Sequence, residues 1–271
     1  MSTSPAYTRT QWLVTAAATI LLLALAIPYI AHARTASRRS ACLSNLRQFS
    51  AALHDYTVDF NTLLPHPLQE PDTQQNFWTH TLAVYIPDFQ KVLQCPAADH
   101  PNPRIFTAGT ATSPWNQTDT ARSQLQSGAY TINGWLYATH FSSSLYLGDD
   151  GAFLASELRT DDVPPLPTLI DPDSFYHLPL VRQPATIPAF ADAIWSETFP
   201  APSDSLPTDT SLGDGPHLSF HLGQLFIDRH GTTPPAINTS FLDGHAETTP
   251  LSNLSTLPWQ AHWISPTPPT R

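Results

Sequence analysis

One lysine, one methionine and two cysteines are all that 271 residues hold of those types, and Asp, Glu, Lys and Arg together make up only 13% of the chain. With 12 basic residues against 22 acidic ones and a formal charge of −10, the clustered cations that neutralise phosphates are missing. Nucleic acid is excluded as a partner on that ground. Two cysteines rule out both a four-cysteine zinc site and a disulfide-dense scaffold. Lys91 has no glycines around it, so the Gly-x-x-x-x-Gly-Lys phosphate cradle is absent. No Gly-x-Ser-x-Gly elbow occurs, no Ser, His and Asp set stands out among the 12 histidines, and no internal repeat is visible.

What the chain does have is one long apolar run. No charged residue falls between Arg9 and Arg34, and Trp12 through Ile27 continues into Pro28-Tyr29-Ile30-Ala31. About 20 apolar residues suffice for a helix to cross ~30 Å of hydrocarbon, so this run predicts a membrane span. A cleaved secretory signal is the rival, with Ala31-His32-Ala33 as its small-x-small site, but such signals have shorter apolar runs. The helical pattern then goes on: Leu43, Leu46, Phe49, Leu53, Tyr56 and Phe60 recur at spacings of three and four and stop short of Pro65 and Pro67. One helix, apolar all round and then amphipathic, is the expectation.

From about Asn76 onward, short apolar runs alternate with Pro, Gly, Asp and Ser. Phe77 to Ile86, Lys91 to Cys95, Tyr130 to Ile132, Ile187 to Ala191 and Gln224 to Ile227 read as short strands. Asp161 to Pro172 and Phe199 to Asp214 read as proline-rich excursions from a sheet, and Trp259 and Trp263 as part of a final strand or strand edge. The fold class expected is α+β: a long N-terminal helix packed on an irregular antiparallel sheet with long loops.

Three stretches resemble one family. They are Arg38-Arg39-Ser40-Ala41-Cys42-Leu43-Ser44-Asn45-Leu46-Arg47-Gln48 with Ala51 to Tyr56; Val92 to Pro96 with Tyr130 to Trp135; and Phe190-Ala191-Asp192 with Asp228-Arg229-His230 and Asn238 to Glu247. In this order they resemble the pseudopilin-like proteins with a prepilin-type N-terminus and a C-terminal H-X9-DG domain, abundant in planctomycete and verrucomicrobial bacteria. Two departures stand out: twelve residues, not nine, separate His230 from Asp243, and Ala6-Tyr7-Thr8-Arg9-Thr10-Gln11 replaces the family's Gly-Phe-Thr-Leu-x-Glu processing signal.

The resemblance implies a pilin-like fold, a role in assemblies related to type II secretion or type IV pili, and partners in the inner membrane, including other pilin-like subunits. It also implies a bacterial inner-membrane location with the folded domain on the periplasmic side. Arg34, Arg38 and Arg39 pull the other way by the positive-inside rule, which long translocated domains often escape. The organisation expected is a cytoplasmic stub at 1–10, a transmembrane helix at 11–33, its amphipathic continuation at 34–62, a pilin-like outer domain at 63–264 and a disordered tail at 265–271.

In an oxidising periplasm Cys42 and Cys95 can pair, closing a loop of ~50 residues and contributing about 3–4 kcal/mol; the alternative is two buried free thiols. Asp228, His230, Asp243 and His245 are candidate metal ligands, because residues two apart on a strand share a face and a hairpin near Pro234-Pro235 brings the pairs together. On that basis the rival reading is a membrane-tethered, zinc-, manganese- or iron-dependent hydrolase. The plainer reading has these residues capping turns, with Asp243-Gly244 as a turn dipeptide. Asp192 can join such a site or end a strand.

Asp149-Asp150-Gly151 and Asp161-Asp162 invite a calcium reading but lack the alternating ligands of an EF-hand loop. The sequons at Asn116, Asn238 and Asn253 are coincidental in a bacterial setting. No catalytic residue, no cofactor and no enzymatic activity are expected, with calcium and zinc left open. A periplasmic carbohydrate-binding module fits the aromatic content but has no motif behind it. Glutamine at position 11 cannot supply the buried charge that a filament subunit pairs with its neighbour's terminal amine. Intact-mass analysis should therefore find no N-methylated terminus at Tyr7; finding one would show that processing persists.

Overall fold

Thr8 starts a helix by a reciprocal cap. Its hydroxyl accepts from the Gln11 N–H at 3.4 Å while its own N–H donates to Gln11 Oε1 at 2.8 Å. Helix α1 then runs from Arg9 to Phe60, 52 residues or about 78 Å, straight through Pro28, and stops where Asn61 turns left-handed at φ 52°. This is a computed structural model, and it describes residues 8–65, 77–102, 107–119, 124–138, 172–178, 181–213 and 221–265.

No side chain of α1 is buried before Cys42. Trp12, Leu13, Leu22, Leu25 and Ile27 are each about two-thirds exposed, which in water leaves a large apolar surface unpaired. The hydroxyls of Thr15 and Thr19 donate back to carbonyls one turn earlier, so even these polar groups are satisfied within the helix, as hydrocarbon demands. Among the described residues one helix, near the N-terminus, is long and apolar enough to cross a membrane.

The second half of α1 behaves differently. Cys42, Leu46, Phe49, Ser50, Ala52, Leu53 and Tyr56 are buried. This is close to the stripe expected, with Cys42 more deeply placed than Leu43 and with Phe60 left exposed.

Its counterpart is a five-stranded sheet in the order β5-β3-β4-β6-β7, built from β3 (Tyr130–Asn133), β4 (Pro188–Asp192), β5 (Glu197–Thr198), β6 (Ala236–Phe241) and β7 (Ala246–Pro250). All pairings are antiparallel except β3 with β5. A separate hairpin pairs β1 (Trp115–Asp119) with β2 (Gln124–Gly128). The fold is α+β, as expected.

Side chains alternate across a strand, so Tyr130 and Ile132, Phe190 and Asp192, and Asn238 and Ser240 share the face toward α1. Phe49 confirms this, meeting Tyr130 at 5.4 Å and Phe190 at 5.6 Å between ring centroids and Trp78 edge-on at 5.4 Å. Beside it Ser50 Oγ donates to Ser240 Oγ at 2.8 Å inside the interface.

Several short apolar runs are not strands. Phe77 to Ile86 forms α2 (Trp78–Thr81) and a 3₁₀ turn, Lys91 to Cys95 continues α3 (Phe89–Val92), and Gln224 to Ile227 belongs to a 3₁₀ turn and its exit. Burial on several sides, not strand periodicity, explains their apolarity; Trp78, for instance, donates its indole N–H to the Ser196 carbonyl at 2.8 Å. Trp259 and Trp263 follow the 3₁₀ segment Leu251–Thr256 and donate their indole N–H groups back to it rather than lining a strand. The acidic stretches at 149–151 and 161–162 and the tail from 266 lie outside the described residues.

Because Phe49 is fully buried against four rings, Phe49→Ala should lower unfolding free energy by about 3–5 kcal/mol in denaturant titrations of the detergent-solubilised chain. Val84→Ala, at an 82% exposed position, should stay within about 0.5 kcal/mol.

Candidate functional site

Strand register lines up Tyr130 with Asp192, and Asn238 with Thr248. With the Thr239–Ala191 pair fixing β6 on β4, these four form one lateral row across β3, β4, β6 and β7, on the face that α1 covers. The row is polar where a core row is ordinarily apolar. Asp192 Oδ2 accepts from the Asn238 backbone N–H at 2.8 Å, Thr248 donates to Asn238 Oδ1 at 3.0 Å, and Asn45 of α1 donates to the Tyr130 hydroxyl at 3.1 Å.

His230 enters this row from the loop before β6. Its Nε2 lies 2.8 Å from Asp192 Oδ2 and 2.8 Å from Asn238 Nδ2, and the side chains of His230 and Asp192 are fully buried. Arg229 is buried next to it, donating through Nη2 to the Ala193 and Thr110 carbonyls at 2.7 and 3.1 Å. Burial pulls the guanidinium below its ordinary value and the Asp192 carboxylate opposes that shift; burial and the same carboxylate push the Tyr130 phenol well up. Asp192 Oδ1, His230 Nδ1, Arg229 Nε and Arg229 Nη1 have no hydrogen-bond partner.

Cys42 and Cys95 form a disulfide, with Cα atoms 5.4 Å apart, in place of two free thiols. It joins α1 to the turn that follows α3, where Asn45 Nδ2 also donates to the Gln94 carbonyl at 3.0 Å. The bridge lies against the Asp192–His230 pair.

The four ligand candidates do not converge. The hairpin of this region joins β6 to β7 and turns at Asp243-Gly244, where Gly244 holds φ 92°, whereas Pro234-Pro235 precedes β6. Three residues of β6, about 10 Å, therefore separate Asn238, which touches His230, from Phe241 at the turn. Asp243 and His245 are exposed there; Asp243 Oδ1 accepts from the His245 N–H and meets His245 Nδ1, whose ring stacks on Phe241 at 4.4 Å. Asp228 caps its own loop, accepting from the Thr232 N–H at 3.2 Å. Only His230 joins a cluster, and its partners there are Asp192 and the two cysteines. Asn116 and Asn238, the first two sequon asparagines, are buried.

Residues 31–89 match the family model described as Protein of unknown function (DUF1559). No curated protein and no solved structure matches the chain. The matched residues take in the C-terminal half of α1, all of α2 and the start of α3, and so include Cys42, Asn45 and Phe49. The match and the exposed apolar helix together fit a membrane-anchored, pilin-like protein.

One buried group outside the row titrates near neutrality. Glu197, in β5, is 8% exposed; burial pushes its carboxyl up to about 7, against a 3.3 Å hydrogen bond from the Tyr137 hydroxyl that pulls it down. The folded chain thus holds this proton up to about pH 7, while the unfolded chain releases it near the ordinary value of 4.5. The raised value favours the folded state fully below pH 4.5, and that advantage fades as pH rises to about 7. Its full size is roughly 3 kcal/mol. Denaturant titrations from pH 4 to 8 should show that decline in the wild type and a flatter profile, with higher stability above pH 7, in Glu197→Gln.

Proposed function

We propose that the chain is a single-pass, pseudopilin-like structural protein of a bacterial inner membrane, related to type II secretion or type IV pilus-like assemblies, with its folded domain on the periplasmic side. The observation that carries this is the division of one continuous helix: α1 exposes apolar side chains all round up to Ile30 and buries a single stripe against the sheet from Cys42 onward. A helix of this design is anchor and spine at once. Its unpartnered half matches lipid or the corresponding helices of other subunits, since small and apolar residues such as Ala16, Ala17 and Ala18 let helices approach closely in a bilayer.

Catalysis is no part of the proposal. The Asp192–His230 pair has the spacing of a base and its orienting acid, but with both side chains fully buried it presents no atom to a substrate. A photo-crosslinking residue at Leu22, combined with protease protection of the outer domain in spheroplasts, tests the reading. Adducts to other subunits with apolar N-terminal helices, and a domain digested from outside, are expected. Recovery of lipid adducts alone, or a domain protected on the cytosolic side, would overturn it.

A further inference from the structure

The groups around the disulfide form a donor set that neither an anchor nor a spine requires. One ligand atom from each of Cys42, Cys95, Asp192 and His230 lies within 4.8 Å of every other, and all four residues are buried. Two sulfurs, an imidazole and a carboxylate are ligands that zinc takes in tetrahedral sites. Within this set Asp192 Oδ1 and His230 Nδ1 lack any hydrogen-bond partner, an arrangement that disfavours the bare core and suits a site built to coordinate. We propose that the Cys42–Cys95 bridge masks a latent zinc site, which in the reduced chain binds one zinc ion through Cys42, Cys95, His230 and Asp192.

Charge supports the exchange. In the oxidised chain the buried Asp192 carboxylate is offset by the buried Arg229 guanidinium. Reduction by a dithiol breaks the S–S bond: two electrons and two protons pass to the sulfurs, and the reductant becomes a cyclic disulfide. Zinc then displaces both thiol protons to solvent. One dication against two thiolates adds no net charge, so the Asp192–Arg229 balance survives.

Geometry permits it as well. Two sulfurs ~2.3 Å from a tetrahedral zinc are about 3.8 Å apart. Cysteines with Cα atoms 5.4 Å apart reach that separation by rotating their side chains, leaving α1 in place. Disulfide and zinc are then alternative cross-links between α1 and the turn after α3, the zinc adding Asp192 of β4 and His230 of the loop before β6.

The full chain in detergent, reduced with a phosphine, incubated with zinc and desalted, should carry one zinc per chain by elemental analysis; the oxidised chain should carry none. Asp192→Asn and His230→Gln should each weaken zinc retention about tenfold or more in chelator competition. Because either variant can fail to fold, X-ray absorption of the zinc-loaded wild type reads the ligands directly, and two sulfurs with two lighter atoms are expected. Absence of zinc from the reduced chain, a four-sulfur or sulfur-free shell, or retention unchanged in both variants would overturn the proposal.

Discussion

A helix that changes from apolar on every side to apolar on one face is the constraint on which the rest of the structure depends. Up to Ile30 it presents apolar side chains in every direction, and the hydroxyls of Thr15 and Thr19 bond backward within the helix. Past Cys42 the same rod has one face for a sheet and one for water. The change happens without a break in the backbone, so the sheet has no freedom to choose its own position. It is set on α1 by Phe49, whose ring touches Trp78, Phe89, Tyr130 and Phe190 together. Fixing it also takes polar contacts that tolerate no slip, such as Ser50 to Ser240 and Arg47 Nη2 to the Ala246 carbonyl at 3.1 Å.

Apolar packing alone would let α1 rotate or slide on the strands, because hydrophobic contact is non-directional. The polar row beneath it removes that freedom. The hydrogen bonds among Asp192, Asn238 and Thr248 form only when β4, β6 and β7 keep their register, and Asn45 links the helix to the same row through Tyr130. His230 closes the row from a loop, so the segment before β6 is positioned by the same hydrogen bonds. A buried polar network of this sort contributes little to net stability and much to the uniqueness of the arrangement.

The helix was legible in the sequence because an uncharged apolar run long enough to cross a bilayer leads into a stripe with spacings of three and four from Leu43 to Phe60, and Pro65 and Pro67 mark where it has to stop. Strands β3 and β4 were legible from their β-branched and aromatic runs. The segments at Phe77 and Lys91 were not, since a short apolar run looks alike in a strand and in a buried helical turn. Pro234-Pro235 suggests a hairpin in the sequence, although Asp243-Gly244 carries the stronger turn chemistry: Gly244 adopts the positive φ that Pro cannot reach. From that misplacement followed the supposed meeting of His230 with Asp243 and His245.

Asp192 illustrates what no local pattern carries. Within Phe190-Ala191-Asp192 it looks like the polar end of a strand, and nothing nearby in sequence calls for a buried carboxylate. Its role comes from register: the Ala191–Thr239 pairing puts Asn238 beside it, and the descent of α1 across the sheet brings the Cys42–Cys95 bridge over it. A one-residue slip of β6 would turn Asn238 to the opposite face and leave His230 and Asp192 with fewer partners. The strand register that secures the helix therefore also assembles the one place in the described residues where sulfur, nitrogen and carboxylate oxygen meet.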